Sequence, residues 1–129
     1  MKYEHTYYLT SDRSLDIEFL FVEINQSEWR IYILSDISYG TRSNGSNDVH
    51  RLVEGDQTRI NLIRDYLSST KTTARSDGPL YYICWSTEIN DLITAKEIAC
   101  TWSEITSFYI KNGGTFPNIW NTLKESNIL

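Results

Sequence analysis

Residues 94–114 read TAKEIACTWSEITSFYIKNGG, and they predict the longest element of the chain, a helix. Thr94 and Glu97 fit a capping box, in which the hydroxyl and the carboxylate each satisfy a free backbone N–H at the start of a helix. Lys111 lies in the last predicted turn, and the glycines of residues 112–114 end the helix. Apolar side chains recur between these ends at helical spacing, at Ile98, Trp102, Ile105 and Tyr109. Since one face of this helix is apolar, it needs another layer to pack against.

The chain before this helix carries the alternating pattern of β-strands. Apolar and polar side chains alternate along a first strand, with the apolar ones at Leu15, Ile17, Phe19 and Phe21. Leu20 and Val22 make the other face apolar as well, so the far end of this strand can be covered on both sides. A second strand follows a short turn at residues 25–28, so the two strands form an antiparallel hairpin. Shorter strands are predicted at residues 6–10, 49–53 and 80–85. We therefore predict an α+β domain in two layers: an antiparallel sheet of about four strands, the long C-terminal helix packed on one face, and one or two shorter helices.

The other segments complete a single domain over residues 1–129, a length that supports one sizeable core. Residues 57–69 place apolar side chains on one helical face, and residues 57–78 together read as a helical and irregular excursion between sheet strands. Pro117 suits the first turn of a second short helix. The run of glycine, serine and asparagine at residues 38–48 predicts an exposed loop.

Charge and cysteine content exclude several function classes. Seventeen acidic residues against twelve basic ones give a net charge of -5, which argues against direct nucleic-acid binding, because binding to phosphates needs a basic surface. The two cysteines form no CxxC pair, so we expect no metal site and no cofactor. The chain shows no signal peptide and no membrane-spanning stretch, which predicts a cytoplasmic protein with reduced thiols.

No standard catalytic motif is present, and this favours a non-enzymatic protein. The sequence has no GxxxxGK[ST], GxGxxG, GxSxG or HExxH. One alternative is a small enzyme acting on a phosphate-containing substrate, with His50 as general base and Arg42 and Arg51 as anion ligands. The plainer interpretation is that His50 caps loop carbonyls and the two arginines hold loop backbone or carboxylates. Cys84 belongs to an apolar strand, and we expect its thiol to be buried and inert, with Cys100 also in the core.

Aromatic side chains are more numerous than one helix can cover. We expect Ile98, Trp102, Ile105 and Tyr109 to pack against the sheet, but Phe108, Phe116 and Trp120 cannot all fit behind the same helix. Exposed aromatic groups on a soluble protein usually mark the binding site of a partner. The surplus therefore predicts a protein-binding surface that includes Trp120.

Five short segments resemble those of small uncharacterised proteins carried on phages and plasmids of low-GC Gram-positive bacteria. The segments are residues 29–33, 39–42, 50–52, 82–85 and 99–102. The resemblance implies an accessory protein of a mobile genetic element. Many such proteins bind and block host defence systems, and anti-CRISPR proteins are one example. On this basis the expected partner is a protein, such as a host defence nuclease or a nucleoprotein complex.

An inhibitor of that kind offers carboxylates to the basic groove of its target. The acidic candidates are the N-terminal carboxylates Asp12, Asp16, Glu18 and Glu23. Tyr39 and Arg42 of the predicted loop join them as partner-binding candidates. A third alternative is a structural protein that assembles by pairing an edge strand, and both a monomer and a homodimer remain open.

Overall fold

The computed structural model describes residues 2–40, 52–70 and 78–129. Five strands form one antiparallel sheet in the spatial order β1-β2-β3-β5-β4. Their bounds are β1 Tyr3–Leu9, β2 Asp16–Asn25, β3 Glu28–Ile33, β4 Leu52–Glu54 and β5 Tyr81–Ile83. Three helices accompany the sheet: α1 Gln57–Ser69, α2 Leu92–Asn112 and α3 Phe116–Glu125. The predicted α+β class is confirmed, with α2 as the long C-terminal helix and α1 and α3 as the two shorter ones.

Helix α2 covers one face of the sheet. The odd-numbered side chains of β2 and β3 point to this face, because side chains alternate along a strand. Phe19, Phe21 and Ile31 are fully buried there against Trp102 of α2. Phe19 and Trp102 meet edge to face, with ring centroids 6.3 Å apart. The predicted packing of the helix stripe on the sheet is therefore correct for its N-terminal half.

Helix α1 covers the opposite face, so the domain has three layers where the sequence predicted two. The even-numbered side chains Leu20, Val22 and Tyr32 are buried beneath this helix. Its own buried side chains are the ones that share a helical face, Ile60, Ile63 and Leu67. The need for a helix on this second face follows from β2. This strand is apolar on both faces and must therefore be covered on both.

The C-terminal half of α2 leaves the sheet and packs on α3. Ile105 and Tyr109 lie in a separate cluster with Phe116, Ile119 and Leu123 of α3. The apolar stripe predicted along α2 thus contributes to two clusters, one against the sheet and one against α3. Of the surplus aromatic residues, Phe116 is buried, whereas Phe108 and Trp120 are partly buried at the edge of this cluster.

The start of α2 lies three residues before the predicted capping box. The N-cap is Asp91, whose carboxylate accepts a hydrogen bond from the backbone N–H of Thr94 at 2.7 Å. This hydrogen bond lowers the pKa of Asp91. The prediction that Thr94 begins the helix is wrong, because an upstream aspartate satisfies the same free N–H groups and adds a negative charge at the positive end of the helix dipole.

The variants Asp91→Ala and Thr94→Ala distinguish the two capping schemes. We expect Asp91→Ala to lower Tm by a few degrees, because it leaves the Thr94 N–H without its acceptor. Thr94→Ala keeps that acceptor and should change Tm less. Thermal unfolding followed by circular dichroism measures both. A larger loss for Thr94→Ala would contradict the cap at Asp91.

Candidate functional site

Asp12, the first of the predicted partner-binding acids, is already engaged within the chain. Its carboxylate accepts hydrogen bonds from the Ser14 N–H at 2.9 Å and from the Ser107 hydroxyl at 3.1 Å, and it pairs with the Lys111 ammonium. Burial raises the pKa of Asp12, but Lys111 and the hydrogen bonds from Ser14 outweigh burial and hold that pKa well below its usual range. Asp12 therefore ties the β1–β2 connection to α2.

A second carboxylate at the same junction, Glu104 of α2, was not predicted. Its side chain is buried and accepts hydrogen bonds from the Tyr8 hydroxyl at 2.6 Å and from the Ser11 N–H and hydroxyl at 2.9 and 2.8 Å. Burial and this hydrogen bond raise the pKa of the Tyr8 hydroxyl far above its ordinary value. The sequence pattern of the helix does not predict a buried acceptor at this position, because acidic side chains on a helix are usually exposed.

The other three acids are spread over both faces of the hairpin. Glu18 contacts His5 and accepts a hydrogen bond from the Tyr7 hydroxyl at 3.2 Å. Asp16 lies on the same face as Glu18, and Glu23 points to the opposite face, since side chains alternate along β2. The four acids predicted to bind a partner thus form no single acidic surface.

Of the four candidate residues in and beside the predicted loop, the structure describes one, Tyr39. Tyr39 is buried against Tyr109, with ring centroids 6.3 Å apart, and burial raises its pKa to about 12. The prediction that Tyr39 is exposed is therefore wrong, because its ring fills the α2–α3 cluster. Arg42, His50 and Arg51 lie outside the described residues.

Cys84 is exposed, so its predicted burial is wrong. Strand β5 ends at Ile83, one residue earlier, where β3 and β5 separate and a cavity of about 320 Å³ opens. Cys84 lines this cavity together with Arg30 and Glu88. Arg30 is the one Lys or Arg among the described residues that line this cavity, and it already lies 3.5 Å from Asp56 and stacks on the Tyr82 ring.

An apolar groove of about 560 Å³ runs between the N-terminal half of α2 and the end of α3, and we call it the α2–α3 groove. Three exposed aliphatic side chains line it: Ile93 at 73%, Ile128 at 42% and Leu129 at 36% exposure. Trp120, half-buried, forms part of its wall, and Cys100 lies in its floor. Ile93 is the most exposed large apolar side chain recorded for the described residues, and water contact at such a position costs free energy.

The end of α3 fixes the two C-terminal groove residues in place. Asn127 adopts a left-handed conformation with φ of 58°, and the Ile128 N–H donates to the Leu123 carbonyl at 3.0 Å. The Asn127 N–H donates to the Lys124 carbonyl at 3.1 Å, which completes a Schellman motif. Backbone hydrogen bonds therefore hold Ile128 beside the groove.

The α2–α3 groove carries charged side chains beside its apolar ones. Its charged lining residues are Lys96, Lys124 and Glu97, against a net charge of -5 for the whole chain. The Lys124 ammonium lies 5.1 Å from the centre of the Trp120 ring, and Lys96 pairs with Glu4 of β1. Since Lys96 already pairs with a carboxylate of the chain, Lys124 is the ammonium that an acidic side chain of a partner would meet beside the apolar lining.

Of the groove residues, the sequence singled out Trp120 as a partner-binding candidate, which stays a prediction, and it did not single out Ile93, Ile128 or Leu129. The signal for Ile93 was present: in a helix that begins at Leu92, Ile93 lies on the side opposite Ile98 and Trp102. Because the helix was predicted to begin at Thr94, Ile93 lay outside the helical pattern. The exposure of Ile93 could therefore not be predicted.

Within residues 2–40, 52–70 and 78–129, no three His, Cys, Asp or Glu side chains are grouped to hold a metal ion. None of the described helices combines the length and the apolar character that crossing a bilayer requires. No protein-family model, curated protein or solved structure matches the chain.

Proposed function

We propose that this chain is a non-enzymatic protein-binding module and that its docking surface is the α2–α3 groove. The observation that carries the proposal is the exposure of Ile93 beside Ile128 and Leu129, on a surface whose backbone is fixed. A protein gains free energy when such a surface is covered, at about 25 cal/mol per Å² of apolar area. Clustered exposed apolar side chains of this kind are typical of partner sites.

The occupant we propose is an amphipathic helix with carboxylates beside its apolar face. The groove lies between two helices and is lined mainly by apolar side chains, a setting in which proteins commonly bind an amphipathic helix. Lys124 also lines it, where an acidic residue of such a helix would meet the ammonium. This charge pattern also disfavours a basic helix, because like charges across an interface cost free energy.

The test uses a designed peptide of leucine and glutamate that forms an amphipathic helix, with a charge-swapped peptide of leucine and lysine as its control. Cys100 lies in the groove and Cys84 lies elsewhere, so alkylation of the two thiols reports on location. We expect the acidic peptide to slow alkylation of Cys100 several-fold and to leave Cys84 unchanged. Equal protection by both peptides, or none by either, would refute the proposed charge preference.

Ile93→Asp tests the same surface with natural partners, and Leu62→Asp on α1 is its matched control. Both residues are exposed aliphatic side chains on helices, so neither change should unfold the domain. We expect a partner captured by the unmodified protein to bind Leu62→Asp normally and to lose at least tenfold in affinity for Ile93→Asp. A partner that binds Ile93→Asp with unchanged affinity docks elsewhere.

A narrower proposal is that the partner is a bacterial defence nuclease and that the chain acts as a phage or plasmid inhibitor of the anti-CRISPR kind. It rests on the sequence resemblance and the net charge. The internal contacts of Asp12 and Glu18 weaken its electrostatic form, since carboxylates that are already paired gain less from a basic partner. Binding that is unchanged from low to high salt would exclude attraction between these acids and a basic groove.

A further inference from the structure

Strand β1 forms one edge of the sheet, and its outer side has no strand neighbour in the described part of the chain. The strand runs from Tyr3 to Leu9 and pairs with β2 along its whole length without a register shift. Tyr7 and Leu9 are 61% and 41% exposed. Edge strands of this length present unpaired backbone groups that can pair with another strand.

The hydrogen bonds at its two ends show which backbone groups point outward. The Glu23 N–H donates to the Lys2 carbonyl at 2.9 Å, and the Thr10 N–H donates to the Leu15 carbonyl at 2.9 Å. In an antiparallel pair, alternate residues direct both backbone groups to the partner strand. The even-numbered residues of β1 therefore bond to β2. The N–H and C=O groups that point away from the sheet belong to the odd-numbered residues, Tyr3, His5, Tyr7 and Leu9.

These outward groups are self-complementary about a two-fold axis at Thr6. If a second copy of β1 pairs antiparallel at this register, Tyr3 meets Leu9 of the second copy and His5 meets its Tyr7. All four outward residues of each copy then fall in hydrogen-bonded pairs. Thr6 faces Thr6 of the second copy in a non-bonded pair, a combination that is favourable across strands.

The side chains that this register brings opposite one another are compatible on both faces of the sheet. On one face, aromatic and aliphatic groups lie opposite one another, because Tyr3 and Leu9 pair while His5 meets Tyr7. On the other face, Glu4 lies opposite Tyr8 of the second copy, so no like charges meet. Within Tyr3–Leu9 there is no proline, lysine or bulge, which are the devices that normally block pairing at an edge.

From this geometry we infer that β1 is a homodimerisation edge at which two copies join their sheets into one ten-stranded antiparallel sheet. The α2–α3 groove adjoins β1 through the contact of Lys96 with Glu4, and each copy brings its own groove to the dimer. Two grooves on one particle strengthen attachment to a partner with repeated sites. The self-pairing register favours a second copy over an unrelated strand.

The test variant is Tyr7→Pro, and Tyr7→Thr is its control. Proline removes an N–H that points outward, so the pairing of β1 with β2 keeps every hydrogen bond. Threonine keeps the N–H, and both variants lack the Tyr7 hydroxyl contact with Glu18. We expect light scattering to give twice the 15.1 kDa mass of one chain at high concentration for the unmodified protein and for Tyr7→Thr. Tyr7→Pro should remain at the mass of one chain.

Amide hydrogen exchange of the unmodified protein gives a second measurement that needs no variant. Over about two decades of concentration, we expect exchange at His5 and Tyr7 to slow as dimer forms, whereas Thr6 stays protected throughout. A single-chain mass at every concentration would overturn the inference, and so would a Tyr7→Pro dimer. Ile93→Asp should leave the dimer intact. Failure of the proposed docking at the α2–α3 groove and failure of dimerisation through β1 therefore give different results.

Discussion

Trp102→Ala is expected to lower the free energy of unfolding by about 3–5 kcal/mol. Trp102 is fully buried, lies in the middle of α2 and packs edge-on against Phe19 of the central hairpin. Truncation removes the largest side chain that joins α2 to the sheet and leaves a cavity between two rigid layers. Since a domain of this kind has about 5–15 kcal/mol in total, the variant should populate unfolded chains measurably.

Trp120→Ala is the control for that prediction. Trp120 is half-buried at the edge of the α2–α3 cluster, with its ring centroid 5.7 Å from that of Phe116. Because its ring remains partly in water, we expect a loss of about 1–2 kcal/mol. Urea titration followed by far-ultraviolet circular dichroism measures both variants. Equal losses would show that α2 is not held to the sheet mainly through Trp102.

Sequence patterns predicted most of the architecture because the strongest patterns coincide with the core. Residues 57–69 carry a helical stripe without a competing signal, and α1 has those bounds. The third layer was missed for a physical reason. A strand that is apolar on both faces, such as β2, requires two covering layers, but periodicity alone does not show which helix supplies the second.

The candidate groove was less predictable, since it depends on tertiary placement. Trp120 was identified from the count of aromatic residues, whereas Ile93 becomes visible only when Asp91 is recognised as the N-cap. Cys84 shows the same limit: its strand ends at Ile83, and one residue of error at a strand end changes a buried thiol into an exposed one.

The polar contacts between α2 and the β1–β2 connection explain how the binding surfaces are held in position. Asp12 pairs with Lys111 near the end of α2, and Glu104, about two turns earlier in the same helix, binds Ser11. The contact between Lys96 and Glu4 extends this attachment along β1. Helix α2 is therefore fixed both to the edge strand and to the groove, which links the geometry of the two proposed surfaces.

Glu104→Ala is expected to cost about 2–4 kcal/mol, a large effect for the loss of one polar side chain. The carboxylate is itself buried and accepts hydrogen bonds from the Tyr8 hydroxyl and both donors of Ser11. Alanine removes this buried side chain and leaves the half-buried Tyr8 hydroxyl without its acceptor, whereas water can reach the exposed Ser11. Urea unfolding measures the loss.

Glu104→Gln separates the contribution of the charge from that of the side-chain volume, because the amide keeps the volume and one acceptor oxygen but loses the charge. We expect it to cost about 1–2 kcal/mol, and a double-mutant cycle of Glu104→Ala with Tyr8→Phe should give a coupling of about 1 kcal/mol or more. The coupling isolates the hydrogen bond between Tyr8 and Glu104 from the packing of either side chain. If Glu104→Ala and Tyr8→Phe were additive, the 2.6 Å contact would contribute nothing to stability. The attachment of α2 to β1 would then depend on Ser11 and on the Asp12–Lys111 pair instead.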